Sequence, residues 1–303
     1  MHNSLYLSSF FLVAATLMAG TGNQEGAAVF NADARMVLVP TTVMDRRGAI
    51  VSGLRSESFL VSQDNQPQRI SSFGEQDVPA SIGVVFDCSG SMRQVLPRAK
   101  MVLKTFFEAS NPEDEAFLYT VASRPNRDSG FTQDLNSLLE HMIFTDAGGS
   151  TALVDTIFAA LRQSRSAHHE RKALLVISDG MDNHSRYSKG ELISAALEAD
   201  LQIYSITVYD PPLTKKPIEL REERDGMAFL EEVTRRTGGI QAVVRNAKEM
   251  DEAAQSVARA IRDQYLIGYV PGSLPQNGSW HSIKVSLNVS NAKAYARAGF
   301  FAK

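Results

Sequence analysis

The sequence predicts an α/β fold: a doubly wound, mostly parallel sheet flanked by helices, with a small β module built from the N- and C-terminal segments. Three observations carry this. Short continuous apolar runs such as Ser81–Phe86 (SIGVVF) and Lys172–Ser178 (KALLVIS) have the texture of strands buried on both faces. Helical patterns alternate with such strands from about residue 79 to 262. Both ends of the chain read as strands and turns without helices.

The elements follow in order. Leu5–Ala19 (LYLSSFFLVAATLMA), followed by Gly20, Thr21 and Gly22, has the anatomy of a signal peptide, although no Lys or Arg precedes the apolar run. It is shorter than the roughly 20 residues that span a bilayer. We therefore expect a cleaved leader over 1–22 and an extracytoplasmic protein, periplasmic or secreted, with no stable membrane insertion after cleavage. No Cys follows the small residues, which disfavours a lipid anchor.

An N-terminal β segment is expected over 28–78. It comprises a hairpin from Arg35–Val43 through the Asp45–Gly48 turn to Ile50 and Val51, then short strands at 58–62 and 68–73 around Asp64, Asn65 and Pro67. The α/β block is expected over 79–262. After strand 81–86, Val95, Ala99, Val102, Leu103, Phe106 and Phe107 recur at helix spacing. Strand 115–121 follows, with a hairpin partner near 130–132, and then helices 134–142 and 152–163. The pattern continues through strand 172–178, helix 189–198, strand 201–208, helix 226–236, strand 240–244 and helix 247–262. In the last helix, Met250, Ala253, Ala254, Val257 and Ile261 form an apolar stripe that reads as core. Over 263–303, strands at 264–270, 281–289 and 294–301 are expected to pair with the N-terminal segment.

Composition narrows the function. The 303 residues carry 31 Lys+Arg against 34 Asp+Glu, so no basic field draws nucleic acid. The one Cys, Cys88, allows no intramolecular disulfide and no thiolate zinc cluster.

The sharpest motif is Asp87-Cys88-Ser89-Gly90-Ser91, at the carboxyl end of the first buried strand. In a roughly extended loop alternate side chains point the same way, so Asp87, Ser89 and Ser91 can face one point while Gly90 lets the backbone turn. Such hard oxygens suit Mg²⁺ or Mn²⁺. In open α/β sheets, ligands sit beyond the carboxyl ends of the strands, and Asp179 ends another buried strand. Taken alone, Asp179 is equally a turn-former in Ser178-Asp179-Gly180. Gly148-Gly149-Ser150-Thr151 opens a helix, and there the hydroxyls could simply cap it.

Together these residues resemble the metal-ion-dependent adhesion site (MIDAS) of von Willebrand factor type A (VWA) domains. The D-x-S-x-S motif falls on Asp87, Ser89 and Ser91, the loop threonine on Thr151 and the distal aspartate on Asp179. More narrowly, the chain resembles the bacterial VWFA-related group, in VMDRRGAIVSGLRSESFLVSQDNQPQRISSF near its start and in QYLIGYVPGS and RAGFFAK near its end. Cys88 stands where that family more often has Thr, at a position that is not a ligand.

The resemblance implies a Rossmann-like VWA fold and a Mg²⁺ or Mn²⁺ site. Ser89 and Ser91 would bind directly, Thr151 directly or through water, and Asp87 and Asp179 largely through water. It also implies a non-enzymatic adhesion or protein-binding module whose ion takes an Asp or Glu carboxylate of a protein partner. The charged stretch Lys215, Lys216, Glu219, Arg221, Glu222, Glu223, Arg224 and Asp225 is expected to form a loop at the metal face, either a specificity rim or a solvated segment.

Other readings are weaker. A metal-independent structural or assembly subunit of an envelope complex is the main alternative. A serine hydrolase using Ser150 with His281 as base lacks the long buried strand that its elbow needs. The pair His168-His169 reads as solvated rather than as a zinc site. The sequons at Asn183, Asn277 and Asn288 matter only in a host that glycosylates them.

Overall fold

The computed structural model describes residues 36–209, 217–272 and 278–302. The expected leader, together with Lys215, Lys216 and Asn277, lies outside them.

The chain enters through four strands: β1 (Val37–Asp45), β2 (Phe59–Gln63), β3 (Gln66–Gln68) and β4 (Ile70–Gln76). β1 turns back through a short hairpin in which the Asp45 carboxylate accepts the N–H groups of Arg47 and Ala49 at 2.8 and 2.9 Å. The α/β unit follows, with strands β5 (Ala80–Asp87), β6 (Glu115–Val121), β7 (Pro125–Arg127), β8 (Arg171–Ser178), β9 (Gln202–Val208) and β10 (Gln241–Val244). Its helices are α1 (Leu96–Glu108), α2 (Leu135–Ile143), α3 (Leu153–Gln163), α4 (Lys189–Glu198), α5 (Pro217–Thr237) and α6 (Lys248–Arg262). Strands β11 (Gln264–Tyr269), β12 (Trp280–Leu287), β13 (Ala292–Ala296) and β14 (Gly299–Phe301) close the chain.

The central sheet has the order β10-β9-β8-β5-β6-β7, parallel except for β7 at the edge. The chain builds outward from β5 to β6 on one side and then returns to β8 on the other. The strand order therefore reverses at β5, which leaves a crevice beyond its carboxyl end. β5 is buried at all eight positions, as a strand covered on both faces must be. Ile82, Val84 and Phe86 face a core shared with α1, α2 and α6, while Val85 faces the core of α3, α4 and α5. The α6 stripe Ala253, Ala254, Val257 and Ile261 is buried and packs on α1.

The two end segments interleave. β1 and β4 flank β11 in the sheet β13-β1-β11-β4, and β12 pairs with β2 in the sheet β14-β12-β2-β3. Val39, Val43, Phe59, Val61, Tyr265, Ile267 and Tyr269 are the core between them.

Three expected elements are placed differently. The hairpin partner of β6 is β7 at 125–127, and residue 132 makes only an isolated bridge, to Ala116. The expected strand 294–301 is broken at Arg297–Ala298, where the chain leaves one sheet for the other: β13 pairs with β1 and β14 with β12. The helix expected at 226–236 begins at Pro217, so Arg221–Asp225 form helix rather than loop. A proline in the first turn loses no needed N–H, and Arg221 pairs with Asp225 one turn on, 3.8 Å away. Among the described residues no helix is long and apolar enough to cross a membrane.

Candidate metal centre

Asp87 is the last residue of β5 and is fully buried. One carboxylate oxygen accepts the Ser89 N–H at 2.9 Å and the other accepts the Ser178 hydroxyl at 2.6 Å. Burial pushes its pKa up to about 7, and the neighbouring Asp179 adds repulsion, against the pull of the two serines. The charge acting on this carboxylate is thus another carboxylate. Ser89 is also buried, and its hydroxyl lies 3.1 Å from that of Ser91, which is exposed. The row from Asp87 through Ser89 to Ser91 therefore runs from the interior to solvent.

Backbone hydrogen bonds fasten the second loop to the first. The Gly148 N–H donates to Cys88 O at 2.8 Å, and the Gly90 N–H donates to Gly149 O at 3.0 Å. A Cβ on Gly90 would lie 3.2 Å from that same oxygen, so a glycine lets the loops meet this closely. Gly149 has φ +79°, and the next residue, Ser150, donates its N–H to Ser123 Oγ beyond β6. Thr151 follows, 2% exposed.

The third loop, after β8, wraps Thr151. The Thr151 N–H donates to the Asn183 side-chain oxygen at 2.9 Å, and its carbonyl accepts the N–H groups of Asn183 and His184, both at 3.0 Å. Asp182 accepts the Leu153 N–H at the start of α3. Asp179 is 7% exposed, and one of its oxygens accepts the Met181 N–H at 3.0 Å. The structure thus brings the three loops bearing Asp87, Ser89, Ser91, Thr151 and Asp179 together at one end of the sheet.

The donor set fits a hard cation held by hydroxyls and two carboxylates, but not one held by acids alone. Among the described residues no three His, Cys, Asp or Glu side chains gather to hold an ion. Buried carboxylates that repel one another, beside a row of hydroxyls that reaches solvent at Ser91, are the chemistry that Mg²⁺ or Mn²⁺ compensates.

Sequence reasoning assigns none of Ser178, Asn183 and Asp182 to this site. Ser178 stands beside Asp87 because Phe86 and Ile177 are in register across the parallel pair, and register cannot be read from one strand. In the sequence Asn183 stands out only as a sequon and Asp182 only as a polar residue after a strand. Cys88 is buried; desolvation, reinforced by Asp87 and Asp128, pushes its thiol up to about 12, which leaves it an inert packing group.

The discounted candidates are engaged elsewhere. His168 Nδ1 lies 2.7 Å from Glu115, at the opposite end of the sheet, and His169 bonds the Glu113 carbonyl. His281 bonds Asp64 at 2.7 Å and Ser279 at 3.0 Å, a strap between the β2–β3 turn and β12. That fastening assigns it no part with Ser150. The Asn288 side-chain amide donates to Glu57 O. Within the charged stretch Glu223 is buried, while Arg221, Glu222, Arg224 and Asp225 are exposed along α5.

Residues 82–181 match the profile of the von Willebrand factor type A domain. Among solved structures, the chain is similar to a von Willebrand factor type A protein from Catenulispora acidiphila at 11% identity, with 82% of this chain and 74% of that one covered and a TM-score of 0.51. It is also similar to the conserved hypothetical protein BatB of Bacteroides thetaiotaomicron, at 19% identity over 60% of this chain and 98% of that one, TM-score 0.48. At 11% identity the likeness to the Catenulispora protein speaks to fold alone. No curated protein matches the chain.

Proposed function

We propose that this chain, which carries a von Willebrand factor type A domain, is an exported adhesion or protein-interaction module that takes a partner's Asp or Glu carboxylate at a divalent-cation site. The observation that carries the reading is the buried Asp87 carboxylate, repelled by Asp179 and aligned with the hydroxyls of Ser89 and Ser91. Bound Mg²⁺ or Mn²⁺ would supply an electrophilic position for one further oxygen ligand. Ser89 and Ser91 would hold it directly and Thr151 directly or through water. Asp87 and Asp179 would act largely through water, with Ser178 and the Ser89 N–H keeping the Asp87 carboxylate oriented. Few formal charges then neutralise the site, which is what an incoming carboxylate requires. The apolar run at 5–19 supports export.

Calorimetric titration of Mg²⁺ and Mn²⁺ into chelator-treated protein tests this. Saturable binding is expected in the parent. Ser91→Ala, at an exposed position, should weaken it about tenfold or more, and Asp87→Ala and Ser89→Ala should abolish it. Folded parent protein that takes up neither ion would turn the reading toward a metal-independent assembly subunit.

A further inference from the structure

The metal face has an apolar prong. Phe144 is 89% exposed and Ile143 63%, the two most exposed large apolar side chains among the described residues. They sit at the end of α2, where the backbone is tied to α1: Lys100 Nζ donates to the carbonyls of Ile143 at 3.2 Å and Thr145 at 2.7 Å. Just before them, Leu138 and Met142 are buried in the core. Phe144 stands four residues before Gly148, whose N–H is bonded to Cys88 O between the candidate ligands Asp87 and Ser89. Four residues span at most about 14 Å, so the prong lies within a short peptide's reach of the ion position.

The same loops carry exposed arginines. Arg93 lies two residues past Ser91, and Arg124 follows Ser123, whose hydroxyl holds Ser150. Arg186, with a side chain 83% exposed, follows the loop that wraps Thr151 and is tied to Asp155 in the first turn of α3. Within these loops, 88–95, 122–124, 144–152 and 179–188, the exposed acid is Asp146. Asp179 and Asp182, less exposed, bring these loops to three Asp against three Arg, so a bound divalent ion would leave the face positive, which favours an acidic partner. An exposed aromatic on a tethered stretch of backbone, within that reach of the ion position, is the kind of group that anchors an interface.

We propose that Ile143 and Phe144, with Arg93, Arg124 and Arg186, form a docking rim for a protein segment that presents a large apolar side chain beside its metal-directed carboxylate, in an acidic context. The inference rests on the carboxylate-binding function proposed above and names the class of partner. It places selectivity on the α2–α3 and strand-end loops rather than on the charged stretch that opens α5.

The test is selection of a phage-displayed random dodecapeptide library on the immobilised full chain, in Mg²⁺ and in chelator. The selections are repeated on Phe144→Ser, on Ile143→Ser combined with Phe144→Ser, and on Arg93→Gln combined with Arg124→Gln. On the parent in Mg²⁺ we expect peptides with Asp or Glu next to an aromatic or aliphatic residue. A synthetic peptide of the enriched sequence should bind the Phe144→Ser protein about tenfold more weakly. It should also bind the double-arginine variant more weakly, with a shallower salt dependence. Both positions are exposed, so circular dichroism matching the parent is expected for the serine variants. Enrichment of the same motif on parent and serine variants, with equal affinities, would overturn the rim. So would a parent that selects acidic peptides with no apolar preference, or selects none. An apolar and acidic preference that persists in chelator and depends on Phe144 would instead uphold the rim and overturn the metal-dependent function.

Discussion

At the scale of single residues, Gly180 and Gly226 show how closely the site is built. Gly180 follows Asp179 at φ +82°, and a Cβ placed on either glycine would come within 2.5 Å of the other's backbone. Helix α5 therefore rests directly against the turn that presents Asp179. Gly180→Ala should cost about 2 kcal/mol, from the positive φ and from the displaced helix together. Gly226→Ala should cost a similar amount, and the double variant less than the sum because the displacement of α5 that admits one Cβ makes room for the other. Urea unfolding of the three variants checks this. The candidate ligands were legible at this scale: alternation pointed to Asp87, Ser89 and Ser91, and a strand end to Asp179. Ser178 was not, because its role comes from lying across the sheet from Asp87.

At the scale of elements, the buried strands were the most legible part of the chain. β5 and β8 are continuous apolar runs, and no other environment suits such runs when turns and helices bound them. α5 was the least legible. Its first turns carry Arg221, Glu222, Arg224 and Asp225, a composition equally at home in a loop, and close glycine packing belongs to the tertiary fold.

One junction between elements should respond to pH. The Arg262 guanidinium, at the end of α6, donates to Asp77 after β4 and holds its carboxyl below the usual carboxylate range, against the opposing effect of burial. A depressed folded pKa contributes stability above the unfolded value of about 3.9 and loses it as pH falls through the folded value. Asp77 is half exposed, so solvent screens the pair. Asp77→Asn should cost about 0.5 kcal/mol at pH 7. The difference from the parent should close as pH falls below the usual carboxylate range and through the depressed folded value, as followed by chemical denaturation across pH.

At the scale of the whole molecule, the β sandwich joins the two ends of the described chain. β1 has β11 on one side and β13 on the other, and β2 depends on β12. Deleting 264–303 removes both neighbours of β1 and strips Tyr265, Ile267 and Tyr269 from the sandwich core. Residues 37–76 should then become sensitive to limited proteolysis, while a parent digested alongside keeps them protected. The sandwich also explains the break near Arg297. A single chain segment must serve two sheets, and the bend moves it from β1 to β12.

By itself the sequence determined what periodicity and local chemistry can encode. It established the alternation of buried strands and helices, the strand-rich ends, and the oxygen side chains at the carboxyl ends of two strands. Tertiary structure alone decided the strand order that places β5 between β6 and β8, and the register that sets Ser178 against Asp87. It also decided the loop-to-loop bonds that bring Thr151 to the site. The physical reason is separation along the chain. Asp87 and Ser178 stand 91 residues apart, and contacts over that distance are selected by how whole elements pack rather than by any local pattern.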